Sequence, residues 1–363
     1  MFQLIGSLKD FFKPSSCVVD DFVFRLHYKV TAIILFGCSI LVTLTQHFGD
    51  AIECHHDTKI QQKFLNNFCW IHTTFTAPKD DKDKYPEYIP GFNYAKSDSQ
   101  KIYHAYYQWV SLALFFQGLL FFLPRFIWRS TGGGLYKNLI QNLNLPIASQ
   151  DTKTANRALL MEYLFRSSGT HDKHLITYVT TEVLNFVNVV LQMVFMNRFF
   201  GGQFTKFGFK VLNISEYNSA ERNDPMIRVF PRLAKCMFRD YGSSGTDQIY
   251  YAICLLPINI INEKIYVFLW FWFYFLAVVS GTALVFRFVT IIVPKVRQLS
   301  IESRCLCLSS RENLKSVLKQ WKTSDWFVLN IISKNLDPLN FDDLVKDLYK
   351  TIEEKCFTNE NQF

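Results

Sequence analysis

The sequence predicts an all-α membrane protein, a four-transmembrane-helix subunit with disulfide-linked extracellular loops and a helical cytoplasmic domain. Three observations predict it. Of 363 residues, 49% are apolar, with 36 Phe and 17 Tyr, which is too greasy for an ordinary pair of soluble domains. Four separate stretches are long and almost uncharged, and four of the nine cysteines fall in pairs in the long segments between them.

Crossing the roughly 30 Å hydrocarbon core at about 1.5 Å per residue takes about 20 largely uncharged residues. The first stretch, VTAIILFGCSILVTLTQHF from Val30 to Phe48, contains no Asp, Glu, Lys or Arg, and the second, IYHAYYQWVSLALFFQGLLFFLP from Ile102 to Pro124, is equally uncharged. The third, LITYVTTEVLNFVNVVLQMVFMN from Leu175 to Asn197, carries Glu182, Asn185, Asn188 and Gln192. An ionisable group in lipid is costly, so this span is expected to turn one side to protein or water. The fourth, beginning at Ile265, is the most apolar and has Trp270 and Trp272 near its start, where aromatic rings favour the membrane interface. The expected layout is an N-terminal pore helix and linker at 1–29, spans at 30–48, 102–124, 175–197 and 265–293, extracellular loops at 49–101 and 198–264, a cytoplasmic loop at 125–174 and a tail at 294–363.

Four crossings put both termini on one side. The inner loop from Arg125 to Lys173 holds seven Lys or Arg against three acids, and further basic residues flank the spans on that side, so it is expected to be cytoplasmic. The net charge of +8 is thereby explained as orientation and contact with membrane lipid, with no call for nucleic acid. No cleavable signal is expected, because the charged stretch up to Lys29 is too long and no small-residue cleavage site follows the first apolar run.

On this layout Cys54 and Cys69 lie in one outer loop and Cys236 and Cys254 in the other, where disulfides persist. Four cysteines allow three pairings, and spacing leaves all three open. Cys17, Cys38, Cys305, Cys307 and Cys356 fall in spans or cytoplasm and are expected to stay reduced.

Several segments carry a resemblance. GDAIEC (Gly49 to Cys54), CWIHTTFT (Cys69 to Thr76), the pentapeptide Tyr106, Tyr107, Gln108, Trp109 and Val110, and the stretch from Met226 to Leu276 resemble the signature segments of innexins, the invertebrate gap-junction proteins. The likeness covers nearly the whole chain. Connexins are similar in topology but have three cysteines per loop. Two positions depart from the family pattern: Ala51 and Ser111 stand where proline is usual, so no proline kink after the pentapeptide is assumed. The short tail would suit a small insect innexin or an innexin-like protein of an insect virus.

The resemblance implies a plasma-membrane subunit that assembles with like or related subunits into a ring of eight, and a second ring docking from the neighbouring cell. It also implies bridges Cys54–Cys254 and Cys69–Cys236. MFQLIGSLKDFFK has apolar residues at helical spacing and could form an amphipathic helix lying on the inner leaflet. In the family this segment folds into the pore mouth, which assigns a pore or gating role to Met1, Phe2, Gln3, Leu4, Ile5 and Leu8.

Other patterns are weaker. His55, His56 and Asp57 after Cys54 lack a fourth metal ligand at a recognisable spacing. The Cys305-x-Cys307 pair reads as reduced thiols, Gly132 to Gly134 lacks the residues of a phosphate loop, and Glu182 reads as a helix-packing or pore-adjacent carboxylate. Asn213, with Ile214 and Ser215, forms a glycosylation sequon in the second outer loop. Nothing forms a nucleophile, metal or paired-acid constellation, so no enzyme activity, metal or cofactor is expected. An intercellular channel, a single-membrane hemichannel and a non-conducting four-span adhesion or scaffold protein remain in play, the third disfavoured by the polar third span and the amphipathic N-terminus.

Overall fold

The structure, a computed structural model, describes residues 17–56, 60–76, 101–140, 143, 150–212, 225–241 and 244–360. Residues 1–16, and with them the expected pore segment, lie outside the described residues, as do Asp57 and Asn213. The described residues form two compact units, one from those within 1–25, 123–185 and 280–363, the other from those within 26–122 and 186–279.

Among the described residues four helices are long and apolar enough to cross a membrane: α1 (Phe22–Phe48), α3 (Val110–Ile140), α5 (Asp172–Phe199) and α8 (Pro257–Ile292). Each runs past the expected span at one end or both, because charged residues such as Arg25 and Glu263 can be helical once protein or interface surrounds them. α1 contains one π-helical turn, Leu26–Thr31, in which the Thr31 hydroxyl donates to the Leu26 carbonyl at 2.9 Å. The apolar side chains left exposed on α3 include Leu112, Phe116, Leu120 and Leu123, a helical stripe suited to lipid or a neighbouring subunit.

The all-α expectation needs one correction. The unit of residues 26–122 and 186–279, here the sheet unit, contains a five-stranded antiparallel sheet of β1 (Glu53–His55), β2 (Thr74–Thr76), β3 (Ile102–His104), β4 (Leu233–Tyr241) and β5 (Asp247–Leu255) in the order β1-β5-β4-β2-β3. The second span is corrected with it. Ile102 to His104, expected at the start of that span, pairs with β2, and a 3-10 turn at Tyr106–Gln108 precedes α3. Backbone groups that a sheet partner satisfies have no need of a helix.

The other unit holds helices joined by turns and no strand among its described residues. It holds α4 (Gln150–Arg166), α9 (Pro294–Glu302), α10 (Leu308–Gln320), α11 (Thr323–Asn335) and α12 (Pro338–Glu360), with parts of the long helices. In α10 the buried Leu314 and Val317, and in α12 the buried Phe341, Leu344, Val345, Leu348 and Ile352, repeat at helical spacing and make amphipathic faces. α11 differs in kind: every residue from Ser324 to Ser333 is buried, which makes it the centre of this unit. Around it Trp128 and Tyr178 pack with Phe327, with Tyr178–Phe327 ring centroids 5.1 Å apart, and Phe24 stacks on Tyr178.

Candidate functional site

In the sheet unit, β4 and β5 alternate as strands with one buried face do. Ala234, Cys236 and Phe238 on one strand and Ala252 and Cys254 on the other are buried while their neighbours are more open. That alternation aims both cysteines into the core. Cys54 on β1 stands in register with Cys254 on β5, and the two are bonded. Cys69 lies on α2 (Gln62–His72), whose buried Leu65 and Cys69 are one helical turn apart, and is bonded to Cys236 on β4. The sulfurs of Cys54, Cys69 and Cys254 lie within 4.8 Å of one another, so the bridges are neighbours at one point of the core. Since all these sulfurs are in bridges, the cluster has no thiolate for a metal.

α2 also closes the open edge of β1. The Cys54 N–H donates to Asn66 Oδ1 at 2.9 Å, and Gln62 Nε2 donates to the Cys54 carbonyl. His56 beside this edge packs edge-on against Phe238 and Tyr250. On β3, His104 is buried with Nε2 2.8 Å from the Thr76 hydroxyl, and burial pushes its pKa down to about 4.

The pentapeptide Tyr106 to Val110 is the joint of this unit. The Tyr106 ring meets Phe199, Phe200 and Phe230, the closest centroid being 5.5 Å away, and Tyr107 is buried against Trp70. Gln108 Nε2 donates to the Trp70 carbonyl, and Gln46 Nε2 donates to the Tyr107 carbonyl at 3.1 Å. Trp109 is exposed, and Val110 is buried at the start of α3. Ser111, at the family's usual proline position, accepts from the Ser39 hydroxyl through its carbonyl at 2.8 Å and donates to Gln46 Oε1 at 3.3 Å. The start of α8 is anchored nearby in sequence to β4: buried Glu263 accepts from Arg232 at 2.9 Å, and Asn259 donates to the Pro231 carbonyl at 2.7 Å.

In the helical unit, Glu182 of α5 takes two hydrogen bonds from Arg287 of α8, both at 2.9 Å. Arg287 also bonds Asp21, and Asp21 bonds Lys334 of α11 and accepts from the Tyr178 hydroxyl at 3.1 Å. Asp20 pairs with Arg125 of α3 at 3.4 Å. Burial alone would raise the Asp21 carboxyl, but Lys334 and Arg287 override it and hold the pKa at about 2. Of the third span's other polar residues, Asn185 and Gln192 are buried in protein and Gln192 donates to Asn188 at 3.3 Å. The stripe therefore turns Glu182, Asn185 and Gln192 towards protein.

Elsewhere in this unit His171 Nδ1 lies 2.8 Å from Asp325, whose carboxylate also accepts the Gly169 N–H; Gly169 has a positive φ of 79°, which glycine adopts without strain. This ties the α4–α5 turn to the first turn of α11. Among the described residues Cys17, Cys38, Cys305 and Cys307 stand outside the disulfide bridges. Burial, with Asp342 beside it, pushes the Cys305 thiol up to about 11 and keeps it protonated. Cys356 lies outside the residues whose side chains are described.

Sequence reasoning missed Asp21, Arg287 and Lys334 as a cluster, because a charge near a span end reads as an interfacial flank. One signal was present. Arg287 directly continues the most apolar run and Glu182 interrupts the third, and two opposite charges near span ends invite pairing.

Comparison with known proteins gives a consistent result. The innexin family model matches residues 20–352. The chain is 42% identical over 359 residues to innexin inx2 of Schistocerca americana, covering 98% of this chain and 99% of that one. It is 40% identical over 354 residues to innexin inx2 of Drosophila melanogaster, covering 96% and 95%. To innexin shaking-B of Drosophila melanogaster it is 39% identical over 351 residues, covering 96% and 94%.

Proposed function

This chain belongs to the innexin family of gap-junction channel subunits, and from that premise we propose that it closes into a ring of eight like or related subunits around a pore, with two rings docking end to end between neighbouring cells. Ions and small molecules pass through the joined pore. Both termini and the helical unit's tail lie in the cytoplasm, and the loops carrying the sheet lie outside the cell, where the bridges stay oxidised. A repeated head-to-tail contact that closes gives such a ring.

The observation that carries docking is the pair of adjacent bridges tying β1 and α2 to β5 and β4. A surface that must match a second copy of itself benefits from loops that are already ordered, since ordering them on contact would weaken the contact. The segment Met1 to Leu8 lies at the cytoplasmic pore mouth in this reading, and Asn213 stays without a glycan that would crowd the docking face. Junctional conductance between paired expressing cells tests the proposal. Conductance in pairs is expected; current in single cells with none across pairs would make the protein a hemichannel, and none in either would make it an adhesion protein.

A further inference from the structure

We propose that the C-terminal tail sets the position of the N-terminal pore segment through a releasable latch, in which Lys334 and Asn335 of α11 hold Asp21 and Val18 just ahead of α1. It rests on the reading above that residues 1–13 act at the pore mouth. The grip has two parts. Asn335 treats Val18 as a neighbouring strand would: its Oδ1 accepts the Val18 N–H and its Nδ2 donates to the Val18 carbonyl at 2.8 Å. The same Nδ2 donates to Ile331 at 2.8 Å, so the amide is oriented by its own helix before it meets the linker. Three residues on, Asp21 bonds Lys334 through its carboxylate, and its N–H donates to the Tyr178 hydroxyl at 3.2 Å.

The charges around Asp21 divide into a fixed half and a movable half. Arg287 and Glu182 make a two-point pair with side chains only 10% and 14% exposed, which holds α5 to α8 without help. Asp21 and Lys334 are added at the rim, 29% and 25% exposed, where water can replace either partner. Opening the rim therefore leaves the spans paired and the cluster hydrated instead of stranded. Because α11 is buried from Ser324 to Ser333, Lys334 and Asn335 at its end move with the packed part of that helix. The linker from Cys17 to Asp21 follows, and it is to this linker that the pore segment of that reading is joined.

The test uses the full-length protein in paired cells with two readouts, the rate of Cys17 alkylation followed by mass spectrometry and the voltage dependence of junctional current. Asn335→Ala keeps all four charges, and Lys334→Met removes one while Lys334→Arg retains it. The expected result is faster Cys17 alkylation and shifted voltage dependence in Asn335→Ala and Lys334→Met, with both near wild type in Lys334→Arg and the slow reaction of buried Cys305 unchanged throughout. An unchanged Cys17 rate in Asn335→Ala and Lys334→Met overturns the latch. Faster alkylation with unchanged gating keeps the grip but overturns its action on the pore, and truncation of residues 2–12 then locates the fault. If truncation also leaves conduction unchanged, the pore-mouth reading has failed; if truncation alters it, the coupling has.

Discussion

The two units of this chain solve the same problem, joining segments far apart in sequence, by different chemistry. In the sheet unit the joins are covalent: residues 200 and 167 positions apart are bonded through sulfur, at neighbouring points of one core. In the helical unit the joins are ion pairs and apolar faces, with Asp21, Glu182, Arg287 and Lys334 meeting from four separate segments. A bridge keeps its partners through every thermal opening, whereas an ion pair at a partly wet rim can part and re-form. The difference suits one unit to holding a fixed surface and the other to changing state.

Breaking a staple should have the largest effect. Cys254→Ser removes a bridge closing a long loop, worth about 3–5 kcal/mol in the chain-entropy view, and leaves Cys54 unpaired beside the second bridge. Loss of thermal stability in detergent and loss of coupling between cells are expected. Arg287→Gln comes next: it leaves Glu182 without its two-point partner at a cost of about 3 kcal/mol, the low end for such pairs because Lys334 remains in the cluster. Thermal unfolding should report the loss, with the disulfides intact on non-reducing gels.

A third change probes packing within the sheet unit. A Cβ at Gly208 would lie 2.2 Å from the Trp270 ring, so Gly208→Ala should destabilise by about 2 kcal/mol through overpacking, read as a lowered unfolding temperature. The smallest effect separates the units by pH. His104 is held neutral, so its contribution is complete above pH 6.5 and is lost as pH falls towards about 4. Asp21, with its pKa held at about 2, keeps its contribution down to about pH 3.8 and loses it below. Between pH 7 and pH 5 the sheet unit should therefore lose on the order of 1 kcal/mol through this group while Asp21 contributes no change, and His104→Gln should flatten that slope in a pH series of unfolding temperatures.

How much of this was legible in the residues follows from the range of the interactions. Four long helices show in sequence because hydropathy and length are local properties. The start of α3 did not, since Ile102 to Trp109 is an uncharged aromatic run whose composition suits a span while Ile102 to His104 pair with β2 and Tyr106 to Gln108 form a 3-10 turn. The sheet escaped because three of its strands have three residues and its pairings join distant segments. A local sign existed in the alternation of Ala234, Cys236 and Phe238 with Ala252 and Cys254, masked by the glycine-rich stretch between the two strands. The ion cluster was out of reach, as Arg287 meets Glu182 across 105 residues and Asp21 across 266.

Peptide mapping under non-reducing conditions, after alkylating the folded protein and then exposing its buried thiols in denaturant with fresh alkylating reagent, tests the contrast between the units most directly. The expected map has Cys54 linked to Cys254 and Cys69 to Cys236, with Cys17, Cys38, Cys305 and Cys307 all recovered as alkylated thiols. Recovery of Cys54 linked to Cys69, or of a bridge involving any of those four thiols, would contradict it.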